Sequence, residues 1–322
     1  MTRENIISLL GDDWRRYEAL VRDALRSDID ILNTVNSSLL ANSGKQLRPM
    51  LSLLMARACG AVNSESLKFA AAAELLHNAT LLHDDVADES SLRRGRPTLS
   101  ALMGPSSAVL VGDFWLARAV NMIMGTAHQD RVIPLFARTL SDLAEGEMLQ
   151  LQKAGTADTT EQDYLRIVYC KTASLFETSC CSAAISADAS PELMDAARRY
   201  GAAVGIAFQI RDDIFDYNDD AGIGKPLGID LKERKITMPL LGALKNVSNG
   251  DAYREMIRQI PEHPENCARL HRFVLENGGL EYATSRLDDF IDEALAALEL
   301  FPRTEERDLL AGLARFNAIR KK

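Results

Sequence analysis

The sequence predicts an all-α fold. Three observations carry that expectation: nearly every segment repeats its apolar residues with helical period, Ala and Leu dominate, and no alternating strand run or hairpin signal stands out. Apolar residues make up 47% of the 322 positions and charged residues 26%, a globular composition with material for a sizeable core. The pattern predicts a single all-α domain over 1–322, a bundle of about a dozen helices with its site between facing helices and no linker that would split it.

Taken in order, an amphipathic helix is expected from Asp12 to Ser27 and a second from about Ile29 to Ala41. A break follows at Asn42-Ser43-Gly44-Lys45-Gln46-Leu47-Arg48-Pro49, where Pro49 suits the first turn of a helix reaching Gly60. Asn63 or Ser64 caps a long apolar helix that passes Ala70–Ala73 and ends in aspartates. An arginine-rich loop comes next, and Gly104-Pro105-Ser106 breaks the chain before a helix from Ala108 to Ala127. Another helix covers Asp130 to about Lys153. A loop from Gly155 ends in Thr160-Glu161-Gln162-Asp163, which resembles a capping box, and one helix then runs through Lys171 to about Ala187. Ser190-Pro191-Glu192 caps a helix continuing to Asp216. After a glycine-rich polar loop from Asn218 to Gly228, helical pattern returns over Met238–Lys245, Ala252–Ile260, Glu265–Glu276 and Leu280–Leu300. The last helix starts at Thr304 and leads to the basic end Arg320-Lys321-Lys322, expected to be solvated.

Charge and cysteine usage exclude several classes. The net charge of −9, with no basic stripe interleaved with aromatics, argues against nucleic acid as a partner. The five cysteines, Cys59, Cys170, Cys180, Cys181 and Cys267, fit neither a zinc pattern nor a disulfide framework, so thiols in a reducing cytoplasm are expected. No signal peptide is expected, because Asp12 and Asp13 interrupt too early. No membrane span is expected either: the longest near-miss, Ala108 to Gly125, contains Asp113 and Arg118.

The chemistry concentrates where the long helix ends, at Leu81-Leu82-His83-Asp84-Asp85-Val86-Ala87-Asp88-Glu89, followed by Arg93, Arg94 and Arg96. Asp84 and Asp88 are four apart and share a helical face, a like-charge spacing that destabilises a helix unless something neutralises it. Carboxylate oxygens suit Mg²⁺, which takes one or two of them together with substrate phosphates, and Arg binds phosphate bidentately. Alone, such a charge run is a solvated helix end. The same Asp-Asp-x-x-Asp pattern returns at Asp212-Asp213-Ile214-Phe215-Asp216, again ending a long helix. Helix C-termini are poor places for acids, so two such boxes call for cations bridging them to a diphosphate. Two basic sets accompany the boxes. Lys45, Arg48 and Arg94 lie near the first, with His77 seven residues before Asp84 on one helical face. Lys171, Lys225 and Lys235 accompany the second, and leave a place for a second diphosphate. Singly, each lysine is an ordinary surface residue and His77 an ordinary core histidine.

In these motifs the chain resembles the trans-isoprenyl diphosphate synthases, or polyprenyl synthetases, over essentially its whole length. The resemblance rests on Gly44-Lys45-Gln46-Leu47-Arg48-Pro49, His77 with Leu81 to Pro97, Gly112-Asp113, Lys171-Thr172, Phe208-Gln209-x-x-Asp212-Asp213-x-x-Asp216, and Gly224-Lys225-Pro226-x-Gly228-x-Asp230-Leu231 with Lys235. Gly112-Asp113-Phe114, Ala144-Glu145-Gly146-Glu147 and Lys171-Thr172-Ala173-x-Leu175-Phe176 look like the long-chain, octaprenyl-type members that make quinone side chains. The resemblance implies the isoprenoid synthase helical bundle with a central active-site cavity, a homodimer, and Mg²⁺-dependent head-to-tail condensation of isopentenyl diphosphate with an allylic diphosphate, three ions per diphosphate-bound site. It implies that Asp84, Asp88 and Asp212 ligate Mg²⁺ with Asp85, Asp213 and Asp216 supporting. Arg93, Lys171, Thr172, Gln209, Lys225 and Lys235 would face the allylic diphosphate, with Arg93, Lys171, Thr172 and Gln209 carrying catalysis. Lys45, Arg48, His77 and Arg94 would hold isopentenyl diphosphate. Ala79 and Thr80, small residues one turn before the aspartates, would leave the product tunnel open, with Ala72, Leu76, Met122, Met124 and Phe136 as lower walls or floor. Two departures stand out: Ser43 precedes Gly44-Lys45 where the family often has Gly, and Arg234 precedes Lys235 where it often has Glu-Gly.

Competing expectations are a shorter-chain synthase making farnesyl or geranylgeranyl diphosphate, a terpene cyclase or head-to-head synthase, and a non-catalytic subunit of a heteromeric synthase. Cyclases usually replace the second box with an Asn/Ser/Glu pattern, and a decayed subunit would have lost aspartates or arginines that this chain keeps.

Overall fold

The computed structural model describes residues 3–42, 44–217 and 228–319. They form an almost entirely helical structure, as the periodicity predicts. The helices are α1 (Arg3–Leu10), α2 (Asp12–Ala24), α3 (Asp30–Ala41), α4 (Leu47–Cys59), α5 (Ser64–Ala87), α6 (Leu99–Met103), α7 (Pro105–Ile123), α8 (Gln129–Thr156) and α9 (Glu161–Val168). They continue with α10 (Ser174–Ser186), α11 (Pro191–Phe215), α12 (Ile229–Lys232), α13 (Met238–Lys245), α14 (Gly250–Arg258), α15 (Asn266–Glu276), α16 (Gly279–Leu298) and α17 (Glu305–Ile319). Two compact units result, one from Met1–Ala137, Thr178–Arg198 and Leu300–Leu310, the other from Arg138–Glu177, Arg199–Glu299 and Ala311–Lys322.

In the first unit α5 is the central element. Asn63 caps it: the side-chain oxygen accepts from the backbone N–H groups of Glu65 and Ser66, and the Ser66 hydroxyl returns a bond to the Asn63 N–H. Its middle, Ala70 to Leu76, is buried on every side, and four consecutive alanines let neighbouring helices approach closely. α5 packs against α2, α4 and α7. Gly112 on α7 is one such approach: a Cβ there would lie 2.4 Å from Nε2 of His83. Leu67, Leu75, Leu76 and Leu82 are buried, each contributing about 1.5–3 kcal/mol.

A staple ties the start of α5 to the rest of this unit. His128 Nδ1 lies 2.6 Å from Glu65 Oε2, and its Nε2 lies 3.0 Å from Asp188 Oδ1. Both neighbours only accept, so both ring nitrogens must donate and the imidazolium is favoured. The Glu65 hydrogen bond chiefly raises its pKa, burial opposing and Asp188 adding to it. A raised folded-state pKa stabilises the fold fully below the unfolded value near 6.5 and loses that contribution as pH rises through the folded value. His128→Gln is therefore expected to flatten the melting temperature's decline between pH 6 and pH 8; a variant keeping the full wild-type slope would refute this linkage.

In the second unit α13 is buried from Met238 to Leu244 and packs against α14, α15 and α16. Tyr164, Val168, Ile210, Ile214, Tyr217 and Leu231 extend the same core.

Several local features differ from the sequence expectation, among them α6, which forms where a loop was expected. α1 forms ahead of Asp12, divided from α2 at Gly11 (φ 52°). The arginine-rich loop contains a short antiparallel ribbon, β1 (Leu92–Arg93) with β2 (Arg96–Pro97). Arg94 (φ 53°) and Gly95 (φ 74°) both adopt left-handed backbone, as a two-residue hairpin turn requires; arginine rarely supplies that conformation, so no Asn-Gly or Asp-Gly signal marks it. The expected continuous helix through Lys171 is interrupted by a π-helical turn at Tyr169–Ala173. α12 is a short helix absent from the periodic pattern.

Candidate active site

Each aspartate box sits in its own unit. In the first, α5 delivers Asp84 and Asp88 exposed at its C-terminal end, while Asp85 is buried. Asp85 accepts from Nε of Arg93 at 2.7 Å, which ties the hairpin to the helix end. Arg94 folds over the Lys45 loop. The left-handed backbone of Gly44 (φ 74°) favours glycine there, and the Arg94 guanidinium occupies the space a Cβ would take, 1.9 Å from Nη1.

The same unit holds a polar cluster in which Glu74 is buried and Arg48, His77 and Asn78 are half-buried. Burial brings the Arg48 pKa down to about 10, opposed by Glu74 and assisted by Arg94; it stays protonated at neutral pH. Burial raises the Glu74 carboxyl while Arg48 and a 3.2 Å hydrogen bond from Asn78 Nδ2 pull it back. Burial, then the charges of Arg48, Arg94 and Arg93, hold His77 well below its ordinary value, so it is neutral. Glu74 was not among the residues the motifs singled out. Its signal was there: one acid inside the apolar run Ala70–Leu76, at three and four residues before His77 and Asn78.

A cavity of about 1950 Å³ in this unit is lined by Lys45, Gln46, Asn78, Asp85, Arg93 and Arg94, among others. Lys45 and Arg94, both expected to hold isopentenyl diphosphate, thus share one cavity, and the charge of Arg94 acts on both Arg48 and His77. Ala79 is fully buried, and Thr80 donates its hydroxyl to the carbonyl of His77 at 2.9 Å. Among the proposed lower-wall residues, Ala72, Leu76 and Phe136 are buried and Met124 is half exposed.

In the second unit, α11 ends in Asp212, Asp213 and Asp216. Asp213 is 3% exposed and accepts from Tyr164 Oη at 2.5 Å and from Gln209 Nε2 at 2.9 Å. Burial, then the neighbouring Asp230, push its carboxyl up to about 8. Asp216 accepts from the backbone N–H groups of Ile229 (3.2 Å) and Asp230 (3.1 Å), holding the start of α12. The π-turn carries Lys171 and Thr172. Lys171 pairs with Glu147 on α8, and the Thr172 hydroxyl donates to Gln209 Oε1 at 2.9 Å. Gly146 and Gly205 let the flanking helices touch the turn: added Cβ atoms would lie 2.6 Å from Cys170 Cβ and 2.5 Å from Ala173 Cα. Lys235 pairs with Glu233, beside the unusual Arg234 with its left-handed backbone (φ 57°). A cavity of about 150 Å³ brings together Lys171, Thr172, Gln209, Asp213 and Lys235, with Tyr164, which the motifs did not single out. Lys225 and the basic end at Arg320 lie outside the described residues.

A helical protein with hard carboxylates at two helix ends and basic residues around two cavities has the chemistry of a diphosphate-handling site. Residues 29–274 match the family model described as polyprenyl synthetase. The chain is 39% identical over 319 residues to the octaprenyl diphosphate synthase of Escherichia coli, covering 98% of each chain. Its fold is similar to the crystal structure of a decaprenyl diphosphate synthase from Rhodobacter capsulatus (TM-score 0.92, 35% identity, 100% of each chain). It is also similar to that of a polyprenyl synthase from Caulobacter crescentus complexed with calcium and isoprenyl diphosphate (TM-score 0.89, 34% identity, 100% of this chain and 98% of that one). The chain belongs to the polyprenyl synthetase family.

Proposed function

We propose that the protein is a Mg²⁺-dependent prenyltransferase that condenses isopentenyl diphosphate head-to-tail with an allylic diphosphate and extends an all-trans, long-chain polyprenyl diphosphate for quinone side chains. The observation that carries it is the full-length similarity to an octaprenyl diphosphate synthase in a chain that keeps both aspartate boxes.

The residues fit the metal. Asp84 and Asp88 offer exposed carboxylates from one helical face, and Mg²⁺ completes such a shell with phosphate and water. We assign Asp84, Asp88 and Asp212 as ligands for three ions. When bound, Mg²⁺ supplies Lewis-acid charge that stabilises the departing diphosphate. Arg93, Lys171, Lys225 and Lys235 bind the allylic diphosphate and stabilise the charge it gains more in the transition state than in the ground state. Lys45, Arg48 and Arg94 hold the second diphosphate, and neutral His77 has one N–H to donate to it.

The allylic C–O bond breaks with its electron pair leaving on diphosphate. The oxygens of Thr172 and the Lys171 carbonyl screen the electron-poor carbon, the isopentenyl double bond attacks it, and the released diphosphate takes the proton then lost. Gln209 Oε1 already accepts from Thr172, so Gln209 serves mainly to orient that hydroxyl.

Exposed apolar side chains on α6 and α7, including Leu102, Leu110 and Val120, support a homodimer that covers them. No helix among the described residues is long and apolar enough to cross a membrane, and five free thiols support a cytoplasmic setting.

Purified protein incubated with Mg²⁺, labelled isopentenyl diphosphate and each allylic primer is expected to give long-chain products by mass. Products of farnesyl or geranylgeranyl length would favour a short-chain enzyme; turnover only on adding a second subunit would favour a heteromeric synthase. Ala79→Tyr is expected to shift the product to shorter chains on chromatography, at some cost in stability because the site is fully packed. An unchanged product would remove Ala79 from the control of chain length.

A further inference from the structure

We propose that Tyr164 is a positioning residue for the allylic half of the site: acting through Asp213 and Gln209, it fixes the direction in which the Thr172 hydroxyl points. This role rests on the prenyl-transfer function proposed above and adds to it a residue from a different helix, α9.

Four side chains form one continuous chain of hydrogen bonds. Tyr164 Oη donates to Asp213 Oδ2 at 2.5 Å, Gln209 Nε2 donates to Asp213 Oδ1 at 2.9 Å, and Thr172 Oγ1 donates to Gln209 Oε1 at 2.9 Å. The polarity of this chain follows from its geometry. Gln209 turns its NH₂ toward Asp213 Oδ1 and its carbonyl toward Thr172, and Tyr164 occupies the other oxygen, Oδ2, so a carboxyl proton shared with the phenol leaves Oδ1 free to accept from Gln209. A carbonyl oxygen only accepts, so the Thr172 hydroxyl spends its proton on Gln209. The Thr172 oxygen then keeps its lone pairs for the cavity it lines with Lys171 and Lys235. Lone pairs are what an electron-poor allylic carbon should meet; a hydroxyl proton pointed the other way would repel it.

Tyr164 is what holds the carboxylate still. Each oxygen of Asp213 has one donor, Tyr164 on Oδ2 and Gln209 on Oδ1, so the group cannot rotate without breaking a bond. The phenol is itself fixed, 4% exposed, in a core shared with Val168, Ile210 and Ile214. Without the Tyr164 hydroxyl, one buried oxygen of Asp213 loses its donor and the carboxylate can turn. Gln209 then has no fixed acceptor, its amide can flip, and Thr172 is free to point its proton into the cavity. A buried tyrosine satisfied by a nearby acid would by itself be unremarkable packing; the unbroken continuation to Thr172 makes it part of the site.

The test is a double-mutant cycle in steady-state kinetics with Mg²⁺, an allylic primer and isopentenyl diphosphate, using Tyr164→Phe, Thr172→Val and the double variant. Tyr164→Phe is expected to lower kcat about tenfold and to leave KM for isopentenyl diphosphate within about twofold. The double variant is expected to be no slower than Thr172→Val alone, because the tyrosine acts only through that hydroxyl. Multiplying effects would overturn the positioning role, since a purely structural contribution adds to the loss at Thr172. Should Tyr164→Phe fail to fold by its melting curve, Asp213→Asn gives the same reading: its amide can donate to Gln209 and release the chain's polarity. It too is expected to have no further effect in the Thr172→Val background, with an unchanged Mg²⁺ requirement. A raised Mg²⁺ requirement would make Asp213 a metal ligand instead and overturn the role. Absence of product from the wild-type protein overturns the function and this role together; an active wild type with multiplying effects overturns this role alone.

Discussion

Asp84→Asn and Asp88→Asn are each expected to slow prenyl transfer by about a thousandfold, a loss of roughly 4 kcal/mol of transition-state stabilisation of the kind metal ligands provide. Both carboxylates are exposed on one face at the end of α5, where an arriving cation can reach them. The rate should recover partly at high Mg²⁺, because the lost group is a ligand. Asp85→Asn is expected to behave differently. Its side chain is buried against Arg93, so the variant should raise KM for the allylic diphosphate and leave the Mg²⁺ requirement unchanged. Kinetics titrated in both Mg²⁺ and allylic substrate separate the cases. Equal behaviour of all three variants would refute this division of the first box.

Glu74→Leu is expected to destabilise the protein by about 3–5 kcal/mol, because it removes the buried carboxylate whose opposite charge acts on half-buried Arg48. The midpoint of urea unfolding should fall clearly, and KM for isopentenyl diphosphate should rise as Arg48 loses its fixed pose. Replacing the pair with two apolar residues would restore stability but not substrate binding. A Glu74→Leu protein as stable as the wild type would show that Arg48 does not depend on this acid.

The helical class, most helix positions and the two acid-plus-base clusters were legible because they are local. Helical period, an Asn cap and a repeated Asp-Asp-x-x-Asp are written over a few turns of chain, and the residues that carry them are sequence neighbours. The glycine at 44 was legible as part of a motif, though its reason, a left-handed backbone turn with the Arg94 guanidinium lying over it, was not. The hairpin at Arg94-Gly95 and the π-turn at Tyr169–Ala173 were not legible: an arginine carries no left-handed preference, and a π-turn keeps the composition of the α-helix it interrupts.

The sequence by itself determined which residue types stand near each other along the chain: three carboxylates at each of two helix ends, arginines after the first, lysines around the second. Only the tertiary structure decided what each of them faces. Asp85 is spent on Arg93, Asp213 on Tyr164 and Gln209, and Asp216 on the amides that begin α12, while Asp84 and Asp88 remain exposed. The physical reason is that helical period places a side chain on a face but says nothing of what packs there. Tyr164 meets Asp213 across 49 positions of chain, a partnership set by how α9 and α11 fold together within one unit and by the cost of burying a carboxylate without donors.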